Sequence, residues 1–210
     1  MRYAWGLSMT FGFVTHSDYG DKSSGGFVWP VRSEKSVLLT VFKTGQTTCY
    51  DERGNTIGCA GTGQDGELQV GVALPPIRFS INADETVTDN LTGLVWTKDA
   101  NLMNTVNGGF NWQQSFDYVK ELNTQNFLGH NDWRLPNIIE LESLVNKAQG
   151  NPASWLNGQG FTEVQSGYSS STTWVNITSG VWWGSMDGRY SNTTGKGTNL
   201  LYVWPVRGGQ

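Results

Sequence analysis

The sequence predicts an α+β fold for its second half, and three observations predict it. Two stretches carry apolar residues at helical spacing behind a capping signal. Short strand-like runs broken by turn residues flank them. The composition is rich in Gly and aromatics and poor in charge, with 27 Gly, 10 Trp, 7 Tyr, 9 Phe and only 15% charged residues. That mixture fits a loop-heavy domain with a core supplied by aromatics.

The elements follow in order. Thr86-Val87-Thr88-Asp89 and Leu94-Val95-Trp96-Thr97 flank Asn90-Leu91-Thr92-Gly93 and read as a hairpin. Asn111 and Gln114 have the spacing of a capping box, and Trp112, Phe116, Val119 and Leu122 form the stripe of the helix behind them. In Asp132-Trp133-Arg134-Leu135-Pro136 the alternation predicts a short strand. Asp132 and Arg134 take one face, Trp133 and Leu135 the other, and Pro136 ends it. Asn137 then caps a second helix with Glu140 as reciprocal partner, and Ile138, Leu141, Leu144, Val145 and Ala148 follow at helical spacing. Asp132, Trp133, Arg134, Asn137 and Glu140 are assigned structural roles at this corner. After Gly150 helical signals vanish, and residues 161–207 read as short strands. The last of these is Leu200-Leu201-Tyr202-Val203-Trp204, which stops before Pro205 at or beyond a sheet edge.

Cys49 and Cys59 bracket a segment that turns at Arg53-Gly54-Asn55, so a disulfide across a hairpin is expected. Such bonds persist in oxidising compartments, which places the chain at the cell surface, outside the cell or in a periplasm. The start Met1-Arg2-Tyr3-Ala4-Trp5 lacks the apolar core of a secretion signal, which suggests a fragment or an internal start. Asp51, Glu52, Asp65 and Glu67 would admit a calcium loop, but their spacing fits no EF-hand. No other cofactor or metal is expected.

The chain repeats itself. Phe27-Val28-Trp29-Pro30-Val31-Arg32 is echoed by Tyr202-Val203-Trp204-Pro205-Val206-Arg207, and Trp5-Gly6-Leu7-Ser8-Met9 by Trp183-Gly184-Ser185-Met186. Five consecutive identities that include Trp and Pro argue against coincidence. The organisation is therefore a tail over residues 1–36 resembling the end of a preceding module, a connector over 37–78 with the cysteine hairpin, and a domain over 79–210.

Asp89-Asn90-Leu91-Thr92-Gly93-Leu94-Val95-Trp96, Asp132-Trp133-Arg134-Leu135-Pro136 and the closing Tyr202-Val203-Trp204-Pro205-Val206-Arg207-Gly208-Gly209 resemble the bacterial Lcl-type C-terminal domain family. The resemblance covers residues 79–210, with a partial second copy in the tail. It implies a C-type-lectin-like fold, in which two helices pack on small antiparallel sheets and the chain ends lie close together. It also implies ligand display outside the cell without catalysis. A sulfated-glycan ligand would need positive charge, yet residues 79–210 carry 7 Lys/Arg against 11 Asp/Glu. The calcium-lectin triplet is absent.

The expected binding surface is the aromatic and polar stretch 168–202. Tyr168, Trp174, Asn176, Trp183, Asp187, Arg189, Tyr190, Asn192 and Asn199 are its candidate contacts, and one of Trp182 and Trp183 should be exposed. Aromatic faces stack on sugar rings or pack peptide side chains, while Asn, Asp and Arg give directional hydrogen bonds. The expected partner is a glycan or a protein. The alternatives are a structural repeat unit that assembles with neighbouring modules or copies of itself by strand exchange, and a diversified lectin-like receptor. Nucleic acid is excluded by the net charge of −4 and the lack of a basic run. Membrane insertion is excluded because no apolar run reaches about 18 residues. The catalytic search finds no Ser-His-Asp set, phosphate loop or HExxH motif, so no enzyme activity is expected.

Overall fold

The structure is a computed structural model. It describes residues 6–8, 13–15, 27–31, 41–103, 109–187, 191–197 and 200–208, the first two segments as backbone strands. The chain divides into two compact units. One comprises Met1–Leu74 with Asn146–Ala148, the other Pro75–Val145 with Gln149–Gln210.

In the first unit, β1 (Gly6–Ser8) pairs antiparallel with β2 (Phe13–Thr15). A second pair, β3 (Cys49–Tyr50) and β4 (Thr56–Ile57), precedes the single turn α1 (Asp65–Leu68). Cys49 and Cys59 form the expected disulfide, with Cα atoms 5.2 Å apart. Asp51 organises the turn between β3 and β4, since its carboxylate accepts from the backbone N–H of Arg53 (2.9 Å) and Asn55 (2.7 Å). Gly54 takes φ +86°, which side chains disfavour. The bond closes a short loop and should contribute about 2.5–3 kcal/mol in the loop-entropy model. Reduction is therefore expected to lower the protection of amides 49–67 in hydrogen exchange and leave those of residues 79–207 unchanged. Loss of protection in both units would refute this.

The second unit has two antiparallel sheets. β5 (Phe79–Ile81), β6 (Thr86–Asp89), β7 (Leu94–Thr97) and β11 (Val206–Gly208) form one, in the order β11-β7-β6-β5. β8 (Gly167–Thr173), β9 (Gly180–Ser185) and β10 (Asn192–Gly195) form the other, in the order β10-β9-β8. Three helices lie between them in sequence: α2 (Trp112–Thr124), α3 (Ile138–Leu144) and α4 (Pro152–Asn157). The fold is α+β, with few helices and small antiparallel sheets.

Both capping boxes form. Asn111 accepts from the N–H of Gln114 at 3.0 Å, and Asn137 from that of Glu140 at 2.9 Å. In each case the partner side chain accepts the cap's own N–H. These bonds satisfy N–H groups that have no partner within the helix. Val119 and Leu122 of α2 pack with Trp133, Leu135 and Val203, while Leu141 and Leu144 of α3 join the main core around Trp96, Phe161, Tyr168 and Trp204.

Four expectations change. Residues 132–135 do not make a strand. Arg134 alone bridges Val206, exchanging both backbone hydrogen bonds with it at 2.9 and 3.0 Å. The alternation is still expressed, since Trp133 and Leu135 are buried and Asp132 is exposed. The second helix ends at Leu144, because Val145 turns extended (ψ 111°), so Ala148 lies outside it. A helix missing from the sequence reading, α4, follows Gly150. Asn151 accepts from the Ser154 N–H at 2.9 Å, and Pro152 opens the first turn. That Asn-Pro pair was the readable signal, since Pro at the first helical position gives up only an N–H that would lack a partner. Finally, the closing strand begins after Pro205 rather than before it. Leu201 and Tyr202 make only isolated bridges, to Phe110 and Tyr168, and the ladder with β7 runs over Val206–Gly208.

Among the described residues, no helix is long and apolar enough to cross a membrane.

Candidate functional site

The corner at residues 132–140 spends its charges on itself. Arg134 donates to both carboxylate oxygens of Glu140 at 2.7 and 2.6 Å and to the Gly208 carbonyl at 3.0 Å. Glu140 also accepts the Asn137 N–H at 2.8 Å. Arg207 donates to Asp132 at 2.7 Å. One end of α3 and the closing strand are thereby tied to the same short stretch.

Burial by itself would raise the pKa of Glu140. The hydrogen bond from Arg134, the Asn137 N–H and the Arg134 charge outweigh it and hold the carboxyl below its usual 4.5. Asp132 is held below 3.8, chiefly by the hydrogen bond from Arg207. Carboxyls depressed in the folded state stabilise it above their unfolded pKa, and that contribution is lost as pH falls through the folded value. The denaturation midpoint of the second unit should therefore fall as pH drops from about 5 to about 3. The gap between wild type and Glu140→Gln should narrow over the same range. A gap that stays constant with pH would exclude this ion pair as the source.

The candidate surface at 168–202 is rearranged by the sheet. Tyr168 does not belong to it. The ring is fully buried, 5.0 Å from the Trp204 ring, and its hydroxyl oxygen accepts the Gln165 N–H at 2.6 Å. Burial pushes the phenol pKa well above its usual 10. Tyr168 was expected as a contact of the surface, and its ring packing places it in the core instead.

The remaining candidates do not form one patch. Trp174 and Asn176 sit at the turn between β8 and β9, because the Trp174 N–H donates to the Gly180 carbonyl at 3.0 Å. Asp187 follows the other end of β9, where Trp183 pairs with Asn192 of β10. At about 3.3 Å per residue, Trp183 stands roughly 10 Å along β9 from the Gly180 end, and Asp187 roughly 20 Å or more. Arg189, Tyr190 and Asn199 lie outside the described residues.

Trp182 and Trp183 also differ from expectation, since both are half-buried. They point to opposite faces of β9. Trp183 lies over Gly167, where an added Cβ would come within 3.0 Å of the indole, and beside Leu201. The face that Trp182 shares with Gly184 turns towards Leu141 of α3. Asp187 is exposed and accepts the Ser185 hydroxyl, while Asn192 is half-buried. Trp183 and Asn192 are thus neighbours across β9 and β10, and the Asp187 carboxylate lies just past the exit of β9. At the opposite end, Trp174 is half-buried, its buried indole N–H has no partner among the described residues, and Val175 and Ile177 beside it are exposed.

Two features escaped the sequence reading. Lys196 places its ammonium 3.9 Å from the centre of the Trp112 ring and donates to the Thr173 hydroxyl at 2.9 Å. This cation is therefore engaged in joining α2 to the second sheet. The other feature is an open cleft of about 460 Å³ between α2 and the corner, lined by Phe116, Lys120, Asn123, Trp133, Arg134 and Asn137. Its polar groups are largely committed. Asn123 exchanges hydrogen bonds with the Trp133 backbone at 2.8 Å in each direction, and Arg134 holds Glu140.

Among the described residues, no three His, Cys, Asp or Glu side chains cluster as metal ligands. Two of the acidic groups weighed for calcium serve the backbone. Asp51 caps its turn, and Glu67 accepts the N–H groups of Gly61 (2.6 Å) and Gly63 (2.7 Å), which lower its pKa. Both cysteines are in the disulfide.

Comparison with curated proteins gives no match. The sequence profile of one family does match, over residues 85–207. That span takes in the β6–β7 hairpin, the Asp132–Pro136 corner and the closing Val-Trp-Pro-Val-Arg, so the chain belongs to the Lcl C-terminal domain family.

Proposed function

We propose that residues 79–210 are a C-type-lectin-like, non-catalytic ligand-binding module that works outside the cytoplasm and recognises a glycan or a protein at the β9–β10 end of its second sheet. The observation that carries this reading is the juxtaposition of the half-exposed Trp183 with Asn192 on the neighbouring strand and Asp187 at the strand exit. A ring that offers a flat apolar face between hydrogen-bonding groups suits a sugar face or a peptide side chain. Arg189 and Tyr190 stand between Asp187 and Asn192 in the sequence. Rigid strands that carry irregular connections are a usual way to present such contacts. The disulfide is compatible with an extracellular or periplasmic setting. Few helices with small antiparallel sheets, and the unit's first and last strands in one sheet, support the lectin-like reading.

Glycan-array and pull-down screening of the intact chain tests the proposal. A ligand found this way should lose about tenfold or more in affinity with Trp183→Ala, Arg189→Ala and Tyr190→Ala combined. Trp174→Ala, at the opposite end of the sheet, should leave its affinity unchanged. Equal binding by the triple variant would reject the assigned surface.

A further inference from the structure

The repeated hexapeptide occurs in two states within one chain. At residues 202–207 it is built into the core. Val203 is 1% exposed, and Trp204 and Val206 are 0% exposed. The Trp204 indole donates to the Thr97 carbonyl at 2.9 Å and meets Trp96 and Phe161 edge-on at 5.4 and 5.0 Å. Val206 exchanges backbone hydrogen bonds with Arg134 on one side and pairs with Trp96 on the other. Arg207 reaches Asp132. At residues 27–31 the same Val-Trp-Pro-Val order is in the open. Val28 is 86% exposed, Trp29 79% and Val31 91%.

Each position of the exposed copy has a defined place in the seated one. Trp29 corresponds to the indole that fills the aromatic cavity and finds the Thr97 carbonyl. Pro30 corresponds to Pro205, whose carbonyl accepts the Thr97 N–H at 3.4 Å and whose missing N–H costs no ladder bond. Val31 corresponds to the residue bridged by Arg134, and Arg32 to the partner of Asp132. A general sticky patch would not need proline and arginine at these two places. The match extends upstream as well. There Trp5-Gly6 echoes Trp183-Gly184 in sequence.

Among the described residues there is therefore one slot, between β7 and Arg134, while the sequence holds two segments written for it. The surplus segment needs a body in deficit. We propose that residues 27–32 are a donor strand for the closing slot of a second Lcl-type body whose own last strand is absent or displaced. The recognition is strand addition with side-chain pockets: main-chain bonds to a β7-like strand, an indole cavity, and an acidic partner for the arginine. The partner is defined by that slot, and the glycan or protein ligand of the β9–β10 end plays no part in it.

The test uses full chains as donors and acceptors. Trp29→Ala/Trp204→Ala is the acceptor, with its slot emptied and its own donor disabled. Trp29→Ala/Val206→Ala is a milder acceptor, in case the first does not fold. Wild-type chain and Trp29→Ala chain are the two donors. Sedimentation and light scattering give the mass of each mixture, and thermal melting gives acceptor stability. Wild type should form a one-to-one complex with an acceptor and raise its melting midpoint, while the Trp29→Ala donor should bind at least about tenfold more weakly. Trp29→Ala alone should melt like wild type. The proposal is overturned if the two donors act alike, or if neither raises the melting of either acceptor. It is equally overturned if Trp29→Ala alone lowers the melting of the second unit, because the segment would then belong to its own chain's core. A monomeric Trp204→Ala chain that melts above the double variant would also overturn it, since the slot would then be filled from within the same molecule.

Discussion

Trp204→Ala is expected to destabilise the second unit by about 3–5 kcal/mol, the usual cost of emptying a buried aromatic site. The indole is fully buried against Trp96, Phe161 and Tyr168, so few surrounding groups are mobile enough to collapse into the space. Its N–H also satisfies the Thr97 carbonyl, which would lose that partner. Trp204→Phe should recover part of the loss by refilling volume without restoring the hydrogen bond. Urea denaturation followed by near-ultraviolet circular dichroism checks both variants. A loss below about 1 kcal/mol for Trp204→Ala would show that this ring is not central to the core.

The second large effect is expected at Arg78. Its guanidinium lies 3.1 Å from Asp89, with both side chains buried, and it also donates to the Ser143 carbonyl. It stands 4.7 Å over the Phe79 ring. Asp89 in turn accepts the Leu91 N–H at 3.0 Å, which shapes the turn into β7. Arg78→Met keeps much of the apolar stem but leaves a buried carboxylate without its cation. Breaking a buried pair from one side costs about 3–5 kcal/mol. Arg78→Met/Asp89→Asn should be less damaging than the sum of the two single changes, because neither charge is then stranded. Strict additivity in that cycle would show that the two groups act independently.

How far the sequence could be read follows from what each signal depends on. Both capping boxes, the disulfide and the inward faces of Trp133 and Leu135 were legible because each rests on a few neighbouring residues. Arg78 was not. It falls at the end of the stretch read as connector, and its partners lie 11 and 65 positions away. The compact unit itself begins at Pro75. The helix at Pro152–Asn157 has one turn and a half and no sustained apolar stripe, so periodicity was silent and only its Asn-Pro start could have spoken.

The candidate surface was read as one stretch because its residues are close in sequence. Antiparallel pairing sends the two ends of a hairpin strand apart, so Trp174 and Asp187 part company, and the depth of Tyr168 is set by ring packing that no local pattern encodes. The closing strand was misplaced by a few residues because Pro205 was taken as its stop. In the fold the proline is only the gap between two short sets of pairings.

The last strand is gripped from both flanks, by β7 on one side and Arg134 on the other, with Arg207 clasped by Asp132. Tension applied along the backbone beyond Gly208 would not peel these attachments one by one. It would load the ladder with β7, the single bridge to Arg134 and an ionic clasp together.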